Sequence, residues 1–206
     1  MNLIYRHPFS HQPHHLMIPQ WNNLGVLPPI RPGQAGHSPD RSPYRVPLTT
    51  VIEHFAISPK RIQILRGLIA YRTALAQTII VDGFQWLNGS FMENKELLEN
   101  EPPKDIDVVT FFKLPSDKGQ DDLERPNPAL FDHDYVKETY LVDAYIHQTG
   151  LFLERCDVRE ISYWHGMWSH RRNGIWKGFV QVELSPSEDQ AATSLLDQIE
   201  KEGAIQ

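Results

Sequence analysis

Apolar positions along this chain fall into a few regular stretches, separated by longer polar runs rich in proline. From Ser58 onward, Ile62, Leu65, Ile69 and Ala76 recur at near-helical spacing with Leu68 and Leu75 beside them. This predicts an amphipathic helix over 58–77 with Arg61, Arg66 and Arg72 turned outward. Ser58-Pro59 starts it well, because serine caps a first-turn N–H and proline loses no bond at the first helical position. FQWLNGSF from Phe84 reads as a short strand breaking into an Asn-Gly-Ser turn, and residues 92–104 as an acidic loop. DIDVVTFFKL, 105–114, is the most strand-like stretch, apolar on both faces after its first three positions, hence a central strand. Residues 115–134 are charged and punctuated by proline, and ETYLVDAYIH, 138–147, returns to strand character. A further strand pair is predicted at about 160–168 and 176–184, joined by a turn at 170–174 that ends in Asn173-Gly174. Ser185-Pro186-Ser187-Glu188 then opens a closing helix that carries Ala192, Leu195, Leu196 and Ile199.

Nine of the sixteen prolines and six of the ten histidines precede residue 55, so the first part of the chain has little capacity for helix or central strand. Residues 1–57 are therefore expected to be an irregular Pro/His-rich arm, and 58–206 an α/β domain with a small mixed sheet flanked by helices. Trp21, Leu24, Val26, Leu27 and Ile30 make the arm too apolar for a purely solvated tail. It should wrap the body, or a neighbouring subunit in an oligomer. With 20 Lys and Arg against 26 Asp and Glu, a formal charge of -6, non-specific coating of DNA is excluded. A lone cysteine, Cys156, forms no intrachain disulfide and reads as structural in a reducing compartment. No apolar run approaches the length of a membrane helix, and the first residues lack the core of a signal peptide. The expectation is a soluble, cytoplasmic protein without a membrane partner.

The chemistry concentrates in three acids. Side chains two apart on a strand share a face, so Asp105 and Asp107 set two carboxylates side by side at the start of one strand. Asp143, flanked by Leu141, Val142, Ala144 and Tyr145, is an awkward choice for a plain core strand, because an unpaired buried carboxylate is costly. It needs a cation or several donors, and oxygen ligands with open water positions suit magnesium and phosphate substrates. An isolated Asp-x-Asp more often only solvates a strand end, and Gly89-Ser90 alone would be only a turn.

N-G-S-F, then a loop, D-I-D-V-V and a later strand acid together resemble the signature of the polymerase-beta-like nucleotidyltransferase superfamily. The wider order, a Pro-Pro arm, a helix, G-S-F, P-x-D-I-D-V-V, the strand acid, Y-W-H-G-M-W and K-G-F-V, is similar to a little-characterised bacterial branch of it, often met near mobile or phage-defence genes. The likeness spans about residues 24–184. It implies a nucleotidyltransferase-like fold that moves a nucleoside monophosphate from a nucleoside triphosphate such as ATP to an acceptor hydroxyl on a protein, an RNA or a small molecule, in a defence or toxin–antitoxin setting. By that resemblance Asp105, Asp107 and Asp143 are both catalytic and the ligands of two magnesium ions. Asp143 also helps to deprotonate the acceptor, while Gly89 and Ser90 receive phosphate oxygens. The fourteen residues between Ser90 and Asp105 exceed the compact pattern, and that segment carries Glu93, Glu96, Glu99 and Glu101.

Lys177, with Arg171 and Arg172, is a candidate to neutralise nucleotide phosphate. Tyr163, Trp164 and Trp168 are expected in a core or interface rather than stacked on a base. His11, His14 and His15 lack matched acidic or cysteine partners for a metal. Neither a Walker loop, a dinucleotide glycine fingerprint nor a G-x-S-x-G elbow occurs. The rival reading from another class is a catalytically idle subunit that binds nucleotide or a partner protein.

Overall fold

A computed structural model describes residues 17–150 and 152–203 of the chain; His11, His14 and His15 lie outside them. In chain order the elements are β1 (Tyr44–Arg45), α1 (Leu48–Phe55), α2 (Pro59–Ala76), β2 (Asp82–Asn88), α3 (Lys95–Glu99), β3 (Ile106–Lys113), α4 (Gln120–Glu124), α5 (His133–Tyr140), β4 (Val142–Gln148), α6 (Arg155–Trp168), β5 (Val180–Glu183) and α7 (Pro186–Gly203), with single 3-10 turns at Ser90–Met92 and Pro128–Phe131. Among the described residues the strands form one five-stranded mixed sheet in the order β1-β5-β2-β3-β4. The expected α/β class with a mixed sheet and flanking helices is what the chain adopts. No described helix is long and apolar enough to cross a membrane.

Period-two alternation sends the two faces of each strand into separate cores. Leu87, Ile106, Val108, Val142, Val180 and Val182 meet the apolar sides of α1, α2, α5 and α7. On the opposite face Trp86, Val109, Phe111 and Phe179 pack with Trp164 and Trp168 of α6. Trp164 and Trp168 are thus core, as expected, but on a helix: the strand predicted at 160–168 is α6. Aromatic residues favour strands by composition, yet Ile161, Trp164 and Trp168 follow i, i+3, i+7 spacing, and burial of that stripe decides.

Other boundaries also move. The strand expected from 138 begins at Val142, because Asp132 caps α5 through Tyr135 N–H at 2.9 Å and holds 133–140 helical. The polar stretches at 92–104 and 115–134 contain α3, α4 and the start of α5. The tight turn at 170–174 is present, closed by a bridge between His170 and Trp176, but the following strand starts only at Val180. The arm is less irregular than expected, since β1 and α1 lie within it. Its described part is sewn to the body: Val26 bridges Glu93, Trp21 Nε1 donates to Met92 O at 2.8 Å, and Gly178 N–H donates to Leu27 O at 2.7 Å. Cys156 is exposed rather than structural.

Two of the three arginines expected to face solvent are fully buried. Arg72 donates to Asp189 (2.6 Å), Gln85 (2.8 Å) and the carbonyl of Glu183 (2.7 Å). Arg61 donates to the carbonyls of Phe91 and Glu93, each at 2.6 Å, and to both oxygens of Glu96 at 2.7 and 2.9 Å. A planar five-donor fork suits such multiple acceptors, and every bond keeps a buried cation tolerable.

Gly67 fixes how α5 and β4 sit on α2: a methyl group there would lie 1.8 Å from the carbonyl oxygen of Tyr140, the last residue of α5. Gly67→Ala therefore sets about 1 kcal/mol of helix propensity against an overpacking cost of about 1–3 kcal/mol borne by rigid backbone. We expect a net loss of up to about 2 kcal/mol in urea unfolding; a stabilised variant would contradict this seating of α5.

Candidate functional site

The register of the sheet builds the site. Asn88 of β2 pairs with Asp107 of β3, which pairs in turn with Asp143 of β4. Directly paired residues share a face, so these three side chains form one row across the sheet. The next row on that face is Trp86, Val109 and Tyr145, the edge of the aromatic core under α6. The polar row is thus the last one before the sheet ends, with Trp86 and Val109 as an apolar floor behind Asn88 and Asp107 and the Tyr145 hydroxyl bonded to Asp143. Asp105, two residues before Asp107 and just ahead of β3, extends it outward.

Gly89 follows β2 directly and lies over Asp107. Its φ of +80° is in the left-handed region, and a Cβ there would stand 2.2 Å from Asp107 Oδ2. Only glycine allows both the turn and the approach. Ser90 opens the 3-10 turn Ser90–Met92, and N–H groups at the start of such a turn have no acceptor within it. Gly89, Ser90, Asp105, Asp107 and Asp143 are thereby gathered at one end of the sheet.

Lys177 is placed differently from the expectation of a phosphate contact. Only 6% exposed, it points its ammonium at the carbonyl of Gly89 (3.3 Å) and at Glu93 Oε1 (2.8 Å), while Arg171 holds Glu93 Oε2 at 2.6 Å. It supports the turn from behind. Burial works to raise the Glu93 pKa, but Lys177 and Arg171 outweigh it and carry it below the ordinary range. The acidic segment also turns its charge away from the row: Glu96 is bound to Arg61, and Glu99 to Lys95 at 2.5 Å.

Two residues that sequence reasoning missed complete the arrangement. Lys137 on α5 places its ammonium 2.5 Å from Asp143 Oδ2 and 3.1 Å from Asp105 Oδ2. His133, one turn earlier, places Nε2 2.8 Å from Asp143 Oδ1. Their i, i+4 spacing after the capping residue Asp132 was the available signal. For Asp143, burial pulls the pKa up, yet the bonds from Lys137 and His133 bring it below the usual carboxylate range. His133 is shifted upward by its bonds to Asp143 and Asp134.

Asp107 has no such help. Among the described residues no side chain hydrogen-bonds to its carboxylate or pairs with it. Burial first, then repulsion from Asp143 and Asp105, pushes its pKa up to about 6, only partly offset by Lys177 and Lys137. Its row neighbour Asn88 is 1% exposed, and with Nδ2 donating to the carbonyl of Trp168 at 3.1 Å its Oδ1 has no partner. Among the described residues no group of three or more His, Cys, Asp or Glu side chains stands ready to hold a metal ion; the ammonium of Lys137 lies between two of the acids.

A family model described as a family of unknown function, DUF6932, matches residues 19–183, and the chain belongs to that family. No curated protein and no solved structure matches the chain.

Because Asp107 binds its proton more tightly folded than unfolded, the folded state gains protons between the ordinary carboxylate value and about pH 6, and stability falls as pH rises through that window. Asp107→Asn removes the ionisation at nearly constant shape. The variant should exceed the wild type in stability at pH 8, by up to about 3 kcal/mol, with the gain disappearing near pH 4. Parallel urea unfolding across that range checks this, and a pH-independent difference would rule out the assignment.

Proposed function

We propose that this member of the family of unknown function is a magnesium-dependent nucleotidyltransferase, which moves a nucleoside monophosphate from a nucleoside triphosphate to an acceptor hydroxyl. The observation that carries the reading is Asp107, a half-buried carboxylate without a partner among the described residues, set in a row with Asp143 and the similarly unsatisfied Oδ1 of Asn88, with a glycine turn laid over it. A fold keeps such an arrangement at a cost to its own stability, and a function that uses the charge explains it.

The donor set suits magnesium, because Asp105, Asp107 and Asp143 offer hard oxygen ligands from one end of one sheet. These residues would hold the two ions expected with bound nucleotide, and the ions would supply charge neutralisation at the triphosphate. Gly89 lets the chain pass close to phosphate, and Ser90 offers a hydroxyl and an N–H to its oxygens. In the transfer, the acceptor oxygen bonds to the α-phosphorus, the bond from that phosphorus to pyrophosphate breaks, and pyrophosphate leaves. Asp143 receives the acceptor proton. Lys177 contributes by holding the carbonyl of Gly89.

Each nucleoside triphosphate should be titrated into the protein with magnesium, and labelled pyrophosphate release followed. Magnesium-dependent binding and release, both lost in Asp105→Asn/Asp107→Asn, are expected. Nucleotide binding that survives the double substitution would refute the metal-site mechanism, and binding without release in the presence of candidate acceptors would favour a nucleotide-binding subunit. Magnesium affinity should fall roughly tenfold per unit below pH 6, because Asp107 must shed its proton first.

A further inference from the structure

Lys137 has a place in this site that the reaction outlined above does not use. Among the described residues it is the one side chain whose cation touches two of the three acids, and it reaches them from outside the sheet, off the helix that leads into β4. Its side chain remains 40% exposed, so its flexible four-carbon stem has solvent to swing into. Val136 next to it is buried in the core and fixes the helix, so the ammonium can move without the backbone. The other nearby lysine has no such freedom, since Lys177 is enclosed with Glu93 and Gly89.

We propose that Lys137 is a built-in counter-ion that holds Asp105 and Asp143 together until a divalent cation enters, is displaced by that cation, and then presents its freed ammonium to the triphosphate. The inference rests on the reading of this row as a cation site. An ammonium and a hydrated divalent ion compete for the same carboxylate oxygens, and the lysine, tethered at high effective concentration, raises the cation concentration needed to fill the site. It satisfies only two of the acids, leaving Asp107 and Asn88 Oδ1 unpartnered among the described residues, so the arrangement is a holding state that a better-coordinated cation completes. Nucleotide brings further anionic charge to the released lysine, which links cation entry to nucleotide binding. In this role Lys137 is a positioning residue.

Manganese binding to the full chain without nucleotide, measured by calorimetry, tests this on the wild type, Lys137→Met and Lys137→Gln. Removal of the competitor should tighten manganese binding at least tenfold, and manganese should raise the melting temperature of both variants more than that of the wild type. ATP affinity at saturating manganese should instead weaken in the variants. A second measurement needs no variant: manganese should speed acetylation of Lys137 in the wild type, read by mass spectrometry, as the ammonium leaves the carboxylates. Equal manganese affinity in wild type and variants, with unchanged acetylation, overturns the proposal; if that binding is still lost in Asp105→Asn/Asp107→Asn, the cation site itself stands. Binding that persists in the double Asp variant overturns the cation site and this inference with it.

Discussion

Like charges drawn onto the last row of a sheet repel one another, and much of this molecule is arranged around that repulsion. The β3/β4 register sets Asp107 opposite Asp143, and the two carboxylates repel. The neighbouring elements divide the problem. α5 sends His133 and Lys137 to Asp143 and Asp105, which gives those acids cationic partners, while the burden collects on Asp107. In the row behind, Tyr145 serves Asp143 through its hydroxyl, while Trp86 and Val109 offer Asp107 an apolar neighbourhood, so whatever relieves Asp107 arrives from solvent.

Behind the row, two buried arginines do work that apolar side chains could not. Arg61 ties two carbonyls of the segment after Gly89 and the carboxylate of Glu96 to α2, so the turn over Asp107 is fixed by charge-assisted bonds rather than by its own short helix. Arg72 does the same for the far side, joining α2 to Asp189 and to the end of β5. Deleting Arg61 would take the donor from the carbonyls of Phe91 and Glu93, and deleting Arg72 would strip buried Asp189 of its ion pair and the Gln85 and Glu183 oxygens of a donor, a larger loss than that of a surface ion pair.

How much of this was legible in the sequence depended on which interaction fixed each element. α2 and α7 were readable because a cap, a proline and an apolar stripe agree, and β3 because its residues are apolar on both faces. The gathering of Gly89 and Ser90 with the three acids was legible from strand alternation and from a resemblance, since both concern local order along the chain. α6 was not, because tryptophan and tyrosine favour strands by composition, and only packing against Trp86 and Phe179 makes Trp164 and Trp168 a helix stripe. The inward arginines were misplaced because their polar partners, Glu96 and Asp189, lie far along the sequence. Lys137 and His133 went unseen because α5 buries only Val136, too faint an apolar signal to mark a helix.

Glu93 joins three parts of the chain at once: its backbone bridges Val26, its side chain holds Lys177 and Arg171, and its carbonyl receives Arg61. The amino-terminal segment is for that reason part of the machinery that shapes the glycine turn, and not a wrapper around a finished domain. A truncation drawn at the boundary that composition suggests, near residue 57, would cut away one wall of the turn while leaving every acid in place. A fragment made that way would keep its acids and lose the frame that orients the chain above them.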